Sequence, residues 1–109
     1  MAELKPLRND KQRIAFICAH TAIRPVSHAP VIRLHVADEA TALWGMTEDA
    51  LAEQGLPPPY WAFAWSGGQA LARHLLDHPE IVRGLRVADF GAGSGLCGIA
   101  AARAGAALV

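Results

Sequence analysis

Between Val87 and Leu96 the chain reads Val-Ala-Asp-Phe-Gly-Ala-Gly-Ser-Gly-Leu, which places glycines at Gly91, Gly93 and Gly95. The run Leu85 to Phe90 that leads in suits a strand. The small-residue run Gly95 to Ala104 that leads out suits a helix, with Gly105 as its left-handed C′ residue. Glycine reaches backbone dihedrals closed to other residues and lets the main chain approach a ligand closely. The start of the helix adds unpaired N–H groups and the positive end of a dipole. Strand, glycine loop and helix in this order predict an α/β fold that holds a nucleotide-like cofactor at the loop. The plainer alternative, a tight strand-to-helix turn with no ligand, rarely needs three glycines.

Two cofactor classes compete for such a loop. Gly93, Gly95 and Gly98 fit the dinucleotide spacing GxGxxG, which supports an alternative reading as half of a nicotinamide-dependent oxidoreductase. A P-loop is excluded, because no Gly-Lys-Ser/Thr follows. Asp89, two residues before the first glycine, argues against the dinucleotide. A carboxylate at the end of a strand repels a pyrophosphate and suits an ammonium group. S-adenosyl-L-methionine carries an amino group and a sulfonium and has no phosphate. The arrangement Asp89-x-Gly91-x-Gly93-x-Gly95 is the form of the first motif of class I methyltransferases.

The rest of the chain divides at Leu56-Pro57-Pro58-Pro59, a stiff connector poor in backbone donors. Residues 1–56 read as a small α+β cap. Its elements are a helix from Asn9 or Asp10 to about Thr21, a loop from Arg24 to Pro30, an alternating strand Val31 to Val36 and a short helix from Thr47 to Glu53 or Gln54. The first helix carries Ile14, Ile17, Cys18 and Thr21 on one stripe. Residues 57–109 read as the start of a Rossmann-like domain. Within it, Ser66-Gly67-Gly68-Gln69 has the form of a capping box, opening a helix with Leu71, Ala72, Leu75 and Leu76 inward. The last three residues, Ala107-Leu108-Val109, read as the opening of another strand. The expectation is therefore the N-terminal half of a larger α/β domain, inactive alone.

Composition narrows the classes further. With 52% hydrophobic and 18% charged residues, disorder driven by charge is excluded. Ten Lys and Arg balance ten Asp and Glu, which removes the broad positive field that nucleic-acid binders use. The apolar stretch from Leu96 to Val109 falls short of the roughly 20 residues of a membrane span. Met1 to Asp10 lacks the apolar core of a signal peptide. Cys18 and Cys97 form no CxxC pair and read as reduced, partly buried thiols. A cytoplasmic protein without nucleic-acid or membrane partners is expected.

A resemblance joins these features. The stretch Pro58-Pro59-Tyr60-Trp61-Ala62-Phe63-Ala64-Trp65-Ser66-Gly67-Gly68-Gln69-Ala70-Leu71-Ala72-Arg73, then Leu75-Leu76 and the glycine loop, resembles lysine methyltransferases of the electron-transfer flavoprotein β subunit. Bacterial relatives of that family are often labelled ribosomal-protein methyltransferases. The similarity runs upstream through Phe16-Ile17, the Val31 to Val36 strand and Leu43-Trp44. It covers nearly the whole chain and only the first half of the family's domain. The resemblance implies a Rossmann-like methyltransferase sheet, S-adenosyl-L-methionine as cofactor, and a protein substrate (the flavoprotein β subunit or a ribosomal protein). It also implies that Trp65 lies against the cofactor, that Gly91, Ala92 and Gly93 wrap its methionine end, and that Asp89 sits near its ammonium, with Gly95 completing the motif. The chain departs from the family at Ser66, where Pro is common, and at Ala88, where Leu is usual. Ser66 is expected to cap the helix, and Ala88 to thin the core of the strand.

Other constellations have simpler explanations. An aromatic face can stabilise a sulfonium by roughly 0.5–2 kcal/mol, yet Trp61, Phe63 and Trp65 alternate with alanines as a core strand would. His74 and His78, at i and i+4, have no acid or cysteine to complete a metal site and read as a solvated, helix-ending pair. Cys97 stands at a helix N-terminus, where a thiol pKa can fall, though its alanine-rich surroundings favour a small buried filler. The alternative to an enzyme is a non-enzymatic remnant or binding module.

Overall fold

The computed structural model describes residues 9–37, 53 and 60–109. The Pro57–Pro59 connector with the boundary at 56, and Leu43-Trp44, lie outside the described residues. Of the helix expected from Thr47, only Glu53 is described, and it is helical and exposed.

Helix α1 spans Asp10–His20. Its start is fixed locally: the Asn9 side chain accepts the Gln12 N–H at 2.9 Å, a cap worth about 1 kcal/mol. Its end is fixed by Thr21, which is buried and donates its hydroxyl to the Ile17 carbonyl at 2.6 Å. The expected inward stripe is realised only in part: Thr21 is buried and Ile17 half-buried, but the rest faces out. Ile14 is 60% exposed, Cys18 is exposed, and no residue of the helix is buried.

The segment expected as loop is instead strand β1, Ala22–Val26, antiparallel to β2, Ala29–Val36. Pro25 is tolerated in β1 because, among the described residues, the sheet has two strands and both are edges, and the register slips at Pro25/Val26. β2 keeps the predicted alternation: Ile32 and Leu34 are buried, and Val31, Arg33 and His35 face out.

A 3₁₀ turn at Tyr60–Ala62 replaces the expected aromatic strand. Ala62, not its aromatic neighbours, is the fully buried residue, and its carbonyl accepts the Ala37 N–H at 2.8 Å. Helix α2 follows over Ser66–Asp77. Ser66 is its first helical residue and makes no capping bond, so the capping box does not form. Gln69 instead donates to the Ala64 carbonyl at 2.6 Å and accepts the His28 N–H at 3.2 Å, tying the hairpin turn to the helix. Ala72 and Leu75 are buried and Leu76 packs against the core, but Leu71 is exposed.

After a 3₁₀ turn at Pro79–Ile81, the chain runs to the glycine loop and helix α3, Leu96–Arg103. The strand expected over Leu85 to Phe90 is present as a single parallel bridge, Arg86 to Leu108. The Val87 N–H donates to the Leu108 carbonyl and the Ala107 N–H to the Leu85 carbonyl, both at 2.8 Å. Ala88 is exposed among the described residues. Gly105, at φ 101°, ends α3 as predicted: its N–H bonds the Ala102 carbonyl and that of Ala106 bonds Ala101. Val26, Ile32 and Leu34 from the hairpin share one core with Ala72, Leu75, Val82, Leu96 and Ala100. The result is a mixed α/β arrangement whose sheet, among the described residues, is the antiparallel pair.

Candidate functional site

The glycine loop meets the start of α2 across an open cleft of about 630 Å³, within the size range of small-molecule sites. Its floor is backbone. Gly91, Gly93 and Gly95 have φ of 70°, 55° and 83°, so each glycine of the motif occupies the left-handed region that disfavours side chains. A Cβ added at Gly91 or at Gly67, on the facing helix, would project into open space. The missing side chains therefore keep the cleft free.

An aromatic wall rises from the 3₁₀ turn. The Trp65 indole N–H donates to the Tyr60 carbonyl at 3.0 Å, pinning a side chain that stays 56% exposed. Its ring lies 5.5 Å from Phe63 and 6.2 Å from Tyr60. Phe90, between Asp89 and the first glycine, is fully exposed at the mouth.

Asp89 is the single acid among the described lining residues, none of which is Lys, Arg or His. Its Oδ2 accepts the Gly98 N–H in the first turn of α3 at 2.9 Å. The helix N-cap, Gly95, has no side chain, so Asp89 supplies the acceptor that a capping residue normally would. That bond also meets the positive end of the helix dipole with a protein carboxylate. A pyrophosphate would find the position already taken by like charge. An ammonium or sulfonium would find a carboxylate and aromatic faces.

Of the predicted residues, the cleft brings together Trp65, Asp89, Gly91, Ala92 and Gly93; Gly95 does not line it and serves as the N-cap of α3. The sequence pattern assigned Leu71, Phe90 and Ser94 no part in it, although they line it, and Tyr60 joins them from the aromatic cluster. Leu71 fell on the predicted core stripe, and no periodicity marks a loop residue such as Phe90. Trp61 turns away, packing with Phe63 on the small cluster of Ala37 and Ala62. Cys97 is half-buried and its thiol lies 3.6 Å from the Gly68 carbonyl. Burial, and then the neighbouring Asp89 charge, push its pKa up, so it is no activated nucleophile. His74 and His78 lie outside this cleft with rings 4.6 Å apart, and His78 Nδ1 is 3.4 Å from a Glu80 oxygen. Among the described residues no helix is long and apolar enough to cross a membrane.

The geometry sets an extended segment with one parallel bridge, a glycine loop and a helix against an aromatic wall, and comparison with known proteins finds relatives named lysine methyltransferases. The chain is 41% identical over 103 residues to the electron transfer flavoprotein beta subunit lysine methyltransferase homolog of Caenorhabditis elegans, covering 94% of this chain and 40% of that protein. It is 44% identical over 95 residues to the Xenopus laevis electron transfer flavoprotein beta subunit lysine methyltransferase (87% and 37%), and 41% over 83 residues to the human one (76% and 30%). Over the matched segment the chain is homologous to these lysine methyltransferases, and it spans about two fifths or less of their length. No family model matches it, and no solved structure gives a significant match.

Proposed function

We propose that this chain forms the S-adenosyl-L-methionine-binding part of a protein-lysine methyltransferase of Rossmann-like fold, with residues 1–56 as its cap and residues from 57 onward opening the cofactor domain. The observation that carries the reading is the cleft itself: two left-handed glycines, Gly91 and Gly93, one acid, aromatic faces and no cationic side chain among the described lining residues. The names of the relatives add the reaction class, and point to an electron transfer flavoprotein beta subunit as the protein substrate. When bound, the cofactor supplies an electrophilic methyl group on a sulfonium. The chain's own residues bind and orient. Gly91, Ala92 and Gly93 would let the backbone close on the methionine end, Asp89 would hold the ammonium, and Trp65 would lie against the cofactor.

Calorimetry with S-adenosylhomocysteine and with NADH tests the reading directly. Saturable binding of S-adenosylhomocysteine, weakened about tenfold or more in Asp89→Asn, is the expected outcome, since a lost charge-assisted contact costs roughly 1.5–3 kcal/mol. Tighter binding of NADH would instead install the oxidoreductase alternative.

A further inference from the structure

Gly98 completes the GxGxxG spacing, yet the cradle described above gives it no role, since it is buried in α3 and does not line the cleft. Its surroundings explain why a glycine stands there. Its N–H donates to Asp89 Oδ2 at 2.9 Å, and a Cβ at this position would sit 3.1 Å from that same oxygen and 3.2 Å from Val109 Cγ1. Both distances are tighter than ordinary carbon contacts, so any side chain at position 98 must displace one neighbour or both. Glycine inside a helix is otherwise unfavourable relative to alanine. What the glycine provides is room for a carboxylate to seat on the first turn of α3.

We propose that Gly98 is a positioning residue acting through Asp89: its bare backbone seats Oδ2, fixes the rotation of the carboxylate, and leaves Oδ1 to meet a cationic amine in the cleft. Asp89 thus has two roles, one per oxygen. It caps a helix whose own N-cap residue has no side chain, and it presents a charge of fixed direction to the ligand. The inference rests on the cofactor reading above, and chooses among ligand groups by charge rather than by shape.

The test compares two ligands. S-adenosylhomocysteine carries the amino-acid ammonium, and 5′-methylthioadenosine keeps the nucleoside and thioether without it. Gly98→Ala should weaken the first about tenfold and change the second by less than about twofold, because only the first presents a charge to Asp89. Asp89→Asn should show the same selective loss, and adding Gly98→Ala to it should produce no further selectivity. Gly98→Ala combined with Val109→Ala removes the other crowded contact, and the selective loss should persist there. Equal weakening of both ligands, or recovery in the Val109→Ala background, overturns the proposal in favour of simple packing. The Gly98 amide gives a measurement that needs no change at position 98. Its proton resonance should move strongly upfield in Asp89→Ala, and an unmoved resonance overturns the seat. Absence of binding of either ligand by the wild-type chain is a different result, which overturns the cofactor reading itself.

Discussion

Helices α1 and α2 are nearly equal in length, at eleven and twelve residues, and are held by opposite means. α1 has a side-chain cap at Asn9 and no buried residue. α2 has no side-chain cap and buries Ala72 and Leu75 against the core shared with α3 and the hairpin. Both showed an apolar stripe in the sequence; that of α2 reaches the core at Ala72 and Leu75, whereas no residue within α1 is fully buried. The contrast shows that a periodic pattern marks a surface able to pack, while the neighbours decide whether it does. The helix beside the cleft is the one fixed by packing, which suits a wall that must hold its position.

Truncations on the two stripes give the sharpest break. Leu75→Ala should cost about 2–4 kcal/mol in urea unfolding, from lost burial and the remaining cavity. Ile14→Ala should stay within about 0.5 kcal/mol. Equal losses would erase the distinction between the helices. The loop comes next. Gly93→Ala forces a side chain into the left-handed region and should cost about 1–2 kcal/mol, with weaker S-adenosylhomocysteine binding, whereas Gly67→Ala meets open space and should leave stability nearly unchanged.

The cap on α1 ranks third. Asn9→Ala should lower stability by about 1 kcal/mol and Asn9→Gly by a few tenths, and the loss should appear as fraying of α1 in amide exchange. A global loss of protection would mean that α1 is coupled to the core more tightly than its exposure indicates. The smallest effect concerns Cys97. Its pKa is raised in the folded state by burial and then by the Asp89 charge. Its contribution to stability is therefore full below the unfolded thiol's pKa and lost as pH rises through the folded value. Stability measured across alkaline pH should decline slightly more steeply for the wild type than for Cys97→Ala. Matching slopes would show the thiol to be as free as an exposed one.

The site was more legible than the fold around it. That Asp89, Gly91, Gly93 and Trp65 share one cleft was readable because each stands out by residue type: a charge, the absence of a Cβ, an aromatic face. Gly105 was readable for the same reason, as a helix end requiring positive φ. Leu71 and Phe90 were not, because exposure depends on what lies opposite, and a leucine on a core-like stripe looks the same whether it faces a neighbour or a cleft. Strand β1 was hidden by Pro25, since the proline penalty vanishes on an edge and the sequence does not announce which strands are edges.

Local chemistry written in the residues therefore set the glycine loop, the Asn9 cap, the alternation of β2 and the single acid at the mouth of α3. Each depends on atoms within a few residues of one another. Whether Ser66 capped its helix, which stripe was buried, and that Asp89 would give one oxygen to Gly98, nine residues on, were settled by contacts the chain makes only once it has folded. Gln69 reached Ala64 and His28 and closed no capping box. Asp89 found an uncapped helix whose glycine left it room. A polar side chain takes the partner that desolvates it at least cost, and that partner exists only once the chain has closed upon itself.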